Sequence, residues 1–443
     1  MKALNNKKFI TLAAALSLMS FGAYHKQEAP TQEQTSAQRT PQMELLGKII
    51  PGTAPKKEKD VLMTDPAMKF KWGMNGSTAA DISTNLAWSI SRGSKDIIVA
   101  VIDTGIDVNH PDIKNNLWKN PGETGLDKNG KDKATNGIDD DGNGFVDDVH
   151  GWNFVANNHN LEDNHGHGTH IAGIVGAEGD NGIGISGVAP KVSIMVLKYY
   201  DPKAKFNDNL GNTIKSIEYA NKMGAKIINY SGGGLEFSRR EYNAIKESRE
   251  KGILFVAAAG NERSNSDIHN YFPADYNLDN IISVTAINQQ AKVLKSSNYG
   301  KESVHIAAPG EDIFSLLPGG RYGQMTGTSQ ATAFVSGVAA LVFANNNSFD
   351  YKQVRKQILI TSDEIEGLRQ KTKYSGKLNS YAALAIQDAI PANGLMAAEN
   401  LDFKSPANED PAAQSNTGSE NIRSLSSIVT AINESVKEVE NKN

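Results

Sequence analysis

Apolar residues fall along this chain in short β-branched runs separated by longer stretches of helical spacing. Residues 96–102 read Asp-Ile-Ile-Val-Ala-Val-Ile and end on Asp103. A run without polar alternation marks a strand buried on both faces. Residues 192–197, 226–229, 253–259, 281–286 and 304–307 continue the series. Between them, 169–176, 213–223 and 239–251 have helical patterns, and 331–343 is a further, apolar helix. Strands alternating with helices predict an α/β fold: a three-layer, doubly wound, mostly parallel sheet with helices on both faces. Ligands of such sheets lie beyond the carboxyl ends of the strands. Asp103 and Asn261 both follow predicted strand ends.

The two ends read differently. Lys2, Lys7 and Lys8 precede a nearly all-apolar stretch over 9–19, and Ser20, Gly22 and Ala23 follow. This predicts a secretory signal peptide over 1–23, cut after Gly22 or Ala23. The apolar run is short for a bilayer span, and no later segment is a candidate. The expected location is therefore outside the cytoplasm, extracellular or periplasmic, with no stable membrane insertion after signal removal. Residues 24–65 are polar and predict a linker or pro-segment. The folded domain is expected over 66–391, and 392–418 is a Pro-, Ala- and Asn-rich linker. Over 419–443, Ile422, Leu425, Ile428, Ile432, Val436 and Val439 predict one amphipathic helix.

The chain has no cysteine, so no disulfide supports it. Stability must come from the core, for which 443 residues are ample, and from bound ions. The net charge of −4 is small and basic residues form no stripe, which argues against a nucleic-acid partner. A monomer is expected.

Candidate chemistry sits in glycine-rich frames. Asp103 lies in Val-Ile-Asp-Thr-Gly, His167 opens His-Gly-Thr-His-Ile-Ala-Gly, and Ser329 lies in Gly-Thr-Ser-Gln-Ala. A serine hydroxyl needs an adjacent imidazole to take its proton. The imidazole needs a carboxylate to fix its tautomer and stabilise its charged form. The chain order Asp, His, Ser differs from the chymotrypsin and α/β-hydrolase orders. His170 lies about one helical turn beyond His167 and is expected to be structural, while His165 is expected at the surface. Gly168 is expected to let backbone pass close to a substrate. Separately, residues 139–147 read Asp-Asp-Asp-Gly-Asn-Gly-Phe-Val-Asp, with oxygen ligands at steps of two and a glycine at the sixth place. That is EF-hand-like Ca2+ spacing, with His150 where the bidentate Glu would stand. Candidate ligands are Asp139, Asp141, Asn143, Asp147 and Asp148.

From about residue 72 to 386 the chain resembles the subtilisin-like serine proteases (subtilases, peptidase S8). The resemblance implies a serine endopeptidase acting on proteins or peptides, with Ser329 as nucleophile, His167 as base, Asp103 as its orienting carboxylate and Asn261, after Ala-Ala-Ala-Gly, in the oxyanion hole. Ser231, Gly232 and Gly233 resemble the segment that pairs with substrate backbone. Ala259 and Gly260 would wall the specificity pocket. Glu262 and Tyr271 would lie near its base, where a tyrosine narrows the pocket and an ionised glutamate favours basic side chains. Phe272-Pro273 matches a position where a cis peptide is usual. A second Ca2+ site would use Asp112, Asn181 and the carbonyls of Ile183 and Ile185. The chain departs from the family at Gln330, Ala333 and Phe334, where Met, Pro and His are usual, which bears on substrate fit and local rigidity. Two rival readings are a binding or scaffold protein on this framework without turnover, and a Ca2+-binding surface module.

Overall fold

The computed structural model describes residues 61–386. The expected signal peptide, the 392–418 linker, the 419–443 helix and most of 24–65 lie outside the described residues. Nine strands form one sheet. They are β1 (Gly93–Asp103), β2 (Gly151–Asn153), β3 (Lys191–Lys198), β4 (Ile227–Tyr230), β5 (Leu254–Ala258), β6 (Ile281–Ile287), β7 (Ile306–Pro309), and the two-residue β10 (Asp363–Glu364) and β11 (Gly376–Lys377). Their order is β10-β11-β7-β6-β5-β4-β1-β3-β2. Every pairing is parallel except β10 with β11. The remaining strands, β8 (Ile313–Leu317) and β9 (Arg321–Met325), form a separate antiparallel hairpin.

Alternation within each apolar run explains the layers. Val99 and Val101 of β1 enter one core, and Ala100 and Ile102 enter the other. Leu254 and Val256 of β5 likewise oppose Phe255 and Ala257. A short helix α1 (Thr84–Ala87) precedes the sheet, and α2 (His167–Gly176) covers its first face. Helices α3 (Asn209–Lys222) and α4 (Arg239–Glu250) cover the second. The long α5 (Thr328–Asn345) crosses the first face over β1, β4, β5, β6 and β7. It is buried continuously from Thr328 to Phe343, which its predominantly small and apolar residues allow. Helices α6 (Tyr351–Ile360) and α7 (Ser380–Ala385) complete this layer. Burying each large aliphatic side chain contributes roughly 1.5–3 kcal/mol, so the two cores can hold the fold without disulfides.

The domain starts earlier than residue 66. Val61 N–H donates to the Asn85 carbonyl. The buried Asp65 carboxylate accepts from Asp180 N–H, Gly182 N–H and Ser186 Oγ. Residues 61–65 are thus part of the packed unit: Met63 enters the first core, and Asp65 satisfies loop N–H groups that would otherwise be buried without partners.

Candidate active site

Asp103 is the last residue of the interior strand β1, and His167 opens α2. His167 Nδ1 lies 2.7 Å from Asp103 Oδ1. A carboxylate accepts only, so Nδ1 carries the proton and Nε2 is left with its lone pair. The Asp103 side chain is 4% exposed and that of His167 23%, so one face of the ring reaches solvent. Burial opposes protonation of the ring. The Asp103 charge, its hydrogen bond and the charge of Asp163 outweigh that penalty and raise the His167 pKa above its ordinary value.

Gly168 does not serve an approach to substrate. A Cβ there would stand 2.1 Å from the Gly105 carbonyl oxygen and 3.1 Å from Asp103 Cβ. The glycine lets α2 press directly on the end of β1, which brings His167 to Asp103. His165 is exposed. His170 is fully buried, and its Nε2 lies 2.9 Å from the Ile313 carbonyl. Burial, with the charges of His167 and Lys71, pushes its pKa down to about 3, so it stays neutral and structural, as its spacing predicts.

Ser329 is the second residue of α5. Its Oγ–H donates to the Ser231 carbonyl at 3.3 Å. Ile102 of β1 pairs with Tyr230 of β4, so Ser231 and Asp103 leave the sheet side by side and the serine is held at the same rim as the Asp103–His167 pair. No hydrogen bond joins Ser329 to His167 among the described residues. The Ser329 N–H lies in the first turn of α5, where helix N–H groups lack intrahelical partners and the helix dipole favours negative charge.

Asn261 follows β5 through Gly260. Its Oδ1 accepts from Thr328 N–H at 3.1 Å and Thr328 Oγ1 at 3.3 Å. A backbone N–H cannot accept, so this contact orients the amide and turns Nδ2 away as a donor. Among the described residues, Nδ2 makes no hydrogen bond.

The expected substrate segment runs out of β4. A Cβ on Gly232 would meet Tyr199 Oη at 2.5 Å, and one on Gly233 would meet Tyr271 Cε1 at 2.4 Å. One flank is therefore filled by tyrosines. Gly234 and Phe272 exchange two backbone hydrogen bonds, 2.8 Å each, and fasten the segment beyond. Gly260 has a φ of +101°, and a Cβ there would lie 2.4 Å from Glu262 Oε2 and 2.9 Å from Tyr271 Cγ. Glu262 and Tyr271 thus converge on the same wall. Burial and the Glu262 charge raise the Tyr271 pKa, so the phenol stays neutral. The Phe272–Pro273 peptide is cis.

Gln330, Ala333 and Phe334 are buried inside α5. Phe334 stacks beneath the buried Lys71 ammonium, 5.7 Å from ring centre to Nζ. These departures from the family pattern repack the core and do not line the substrate surface.

The predicted cation loops differ. Among the carboxylates, Asp139 and Asp141 converge, and Glu123 joins them. One oxygen from each of the three carboxylates lies within 4.8 Å of the others. Asp147 accepts from Gly137 N–H. Asn143 spends its Oδ1 on Phe145 N–H and its amide on Asp141 and Asp148. The His150 ring turns to the Trp118 carbonyl. Asp112, Asn181, Ile183 and Ile185 are brought together, but by hydrogen bonds. Asp112 accepts from Asn181 Nδ2 (2.7 Å), Ile185 N–H (2.9 Å) and Tyr322 Oη (3.2 Å), and Asn181 Oδ1 accepts from Ile183 N–H. The Asp112 carboxylate and the Asn181 amide oxygen are thus engaged by donors of the surrounding loops.

Sequence reasoning missed three supporting residues. Glu123 lies far outside the Asp139 loop in sequence. Asn298 is buried and pins the Asn261 loop, accepting from Glu262 and Ser264 N–H and donating to the Ala259 carbonyl and Glu262. Asp163 sits before α2, where an acidic residue near a helix start was the available signal.

The subtilase family model matches residues 94–385. A thermophilic serine proteinase of Bacillus sp. (strain AK1) is 35% identical over 302 residues, 68% of this chain and 65% of that protein. Subtilisin-like protease 1 of Plasmodium berghei (strain Anka) is 30% identical over 349 residues, 75% of this chain and 56% of that protein. The chain thus spans less than two thirds of the length of either relative. Among solved structures, a protease from Pseudoalteromonas arctica PAMC 21717 matches with a TM-score of 0.58 at 25% identity, over 73% of this chain and 98% of that one. The prenylagaramide maturation protease PagA matches with a TM-score of 0.52 at 27% identity, over 68% and 97%. The family match runs from β1 to α7, through the whole sheet and all the rim positions described above, and this chain belongs to the subtilase family.

Proposed function

We propose that the protein is an exported serine endopeptidase that hydrolyses protein peptide bonds through an acyl-enzyme. The observation that carries this reading is the 2.7 Å Asp103–His167 contact at the head of α2, on the same rim as Ser329 at the head of α5. Ser329 turns about χ1 from the Ser231 carbonyl toward His167 Nε2. The imidazole takes the hydroxyl proton as Oγ attacks the scissile carbonyl, and later gives that proton to the leaving amine. Asp103 stabilises the imidazolium through Nδ1. Ser329 N–H and Asn261 Nδ2 donate to the oxyanion. Substrate backbone adds as a strand along 231–233, where main-chain bonds give affinity and side pockets give selectivity. Among the described residues no helix is long and apolar enough to cross a membrane. In this reading the enzyme is released and works as a monomer on protein or peptide substrates, without nucleic acid.

The test is chemical. A fluorophosphonate probe should label the purified protein once, and peptide mapping should find the adduct on Ser329. The scaffold reading draws on the Ser329 hydroxyl facing Ser231 and not His167. It predicts no adduct, and that result would displace the protease reading.

We also propose Ca2+ at Glu123, Asp139 and Asp141. The buried residue Glu123 is 0% exposed, and its Oε2 has no hydrogen-bond partner. Burial, then the charges of Asp148, Asp141 and Asp140, raises its pKa despite a bond from Asp140 N–H. A cation relieves both the repulsion and the orphaned oxygen. The donors are all oxygens, which suits a hard ion. Binding only the folded form stabilises it by about 2.7 kcal/mol at 100 times Kd, or on the order of 5 °C in Tm. Chelation should therefore lower Tm by that order, and Glu123→Gln should shrink the chelator effect. A chelator-insensitive Tm in the unmodified protein would remove the site.

A further inference from the structure

The Asp163 carboxylate is the most heavily engaged side chain near His167. It is 5% exposed. Oδ1 accepts from Thr104 Oγ1 (2.8 Å), His165 N–H (3.0 Å) and Gly166 N–H (2.7 Å). Oδ2 accepts from Thr169 N–H (2.9 Å) and Thr169 Oγ1 (2.7 Å). Two of these partners reach onward. Thr104 Oγ1 accepts from Gly168 N–H at 2.9 Å, and Thr169 Oγ1 accepts from Asp107 N–H at 3.0 Å. A single carboxylate thus ties the first turn of α2 to the chain leaving β1, on either side of His167. Capping free N–H groups is worth about 1 kcal/mol where a side chain only starts a helix. Here the same bonds also set the spacing between two elements that must hold a 2.7 Å contact.

We propose that Asp163 is a positioning residue for His167, clamping α2 onto the end of β1 and supplying a second negative charge to the surroundings of the ring. The proposal rests on the protease reading for its kinetic consequences only. The titratable groups around His167 are Asp103 from β1, Asp163 from the preceding loop, His165 with its ring 6.1 Å away, and His170 from the next turn of α2. His170 stays neutral, so the two carboxylates set the balance. Both favour the imidazolium. Removing one must make the ring easier to deprotonate, and the neutral, proton-accepting form then persists to lower pH.

The experiment pairs two variants of the full chain. Asp163→Asn should move the His167 imidazole titration, read by NMR, to lower pH. It should move the acid limb of kcat/KM the same way and lower kcat roughly ten- to a hundredfold through misplacement of the ring. Thr104→Val keeps the Asp163 charge and cuts its link to Gly168. It should lower kcat roughly tenfold and displace the titration less than Asp163→Asn does. A role in helix capping alone would lower thermal stability and leave the titration in place. Unchanged kcat and unchanged His167 titration, in whichever variant folds, would overturn the proposal. A wild-type protein that cleaves no peptide would sink the protease reading alone, because the NMR titration needs no substrate.

Discussion

Ser329→Ala should lower kcat for peptide hydrolysis by about 10⁶-fold, the scale known for loss of the nucleophile in subtilisin itself. The change removes the atom that forms the acyl bond, and neither His167 nor the N–H groups around it can replace that atom. The fold should be nearly indifferent. The Ser329 hydroxyl makes one hydrogen bond, 3.3 Å long, to Ser231. Alanine is also a better helix former than serine. The denaturation midpoint should therefore move by less than about 1 kcal/mol of stability. The variant should still bind peptides along 231–233 with near-normal affinity, since that contact is made by backbone. Retention of turnover in a preparation free of other proteases would exclude Ser329 as nucleophile.

Asn261→Ala should cost about 10²–10³ in kcat, roughly 3–4 kcal/mol of barrier, with KM little altered. Those figures are the ones known for the corresponding loss in subtilisin. The reason here is geometric. Thr328 N–H fixes which end of the amide points away, so Nδ2 is a donor whose direction is set before substrate arrives. Such a donor strengthens only as charge develops on the carbonyl oxygen, which is why the loss should fall on kcat. Fluorophosphonate labelling of Ser329 should slow but persist, because the nucleophile and its base remain. An undiminished kcat would mean that the Ser329 N–H and other groups suffice, and the assigned role would fall.

The sheet was legible because its strands are wet on neither face. An unbroken run such as 97–102 has few other places to go in a folded chain. The elements that escaped notice lack that signature. β2 has three residues, and β9 reads Arg-Tyr-Gly-Gln-Met with exposed and half-buried positions mixed. Their pairing is decided by neighbours and not by composition. The stretch 61–65 hid its membership for a related reason. Asp65 is buried because it serves loop N–H groups more than a hundred residues away in sequence.

The same divide runs through the candidate site. Asp103, His167, Asn261 and Ser329 announce themselves because glycines crowd each one, and the close approaches at Gly168 and Gly260 explain two of those glycines physically. Spacing also pointed to Asp139 and Asp141. It could not point to Glu123, since a ligand from another segment leaves no periodic trace. Asp163 and Asn298 are ordinary residue types in ordinary loops. Their importance lies in how many partners they satisfy, and that number exists only in three dimensions.

The helix bearing Ser329 passes through the interior with no solvent-facing side until it nears its far end. Its amide protons can exchange only when much of the first core opens with them. A change that loosened the start of this helix would therefore disturb the packing beneath the whole sheet along with Ser329. Variation that spares the scaffold has more room at the glycine-rich edges bordering the serine than in the pedestal that carries it.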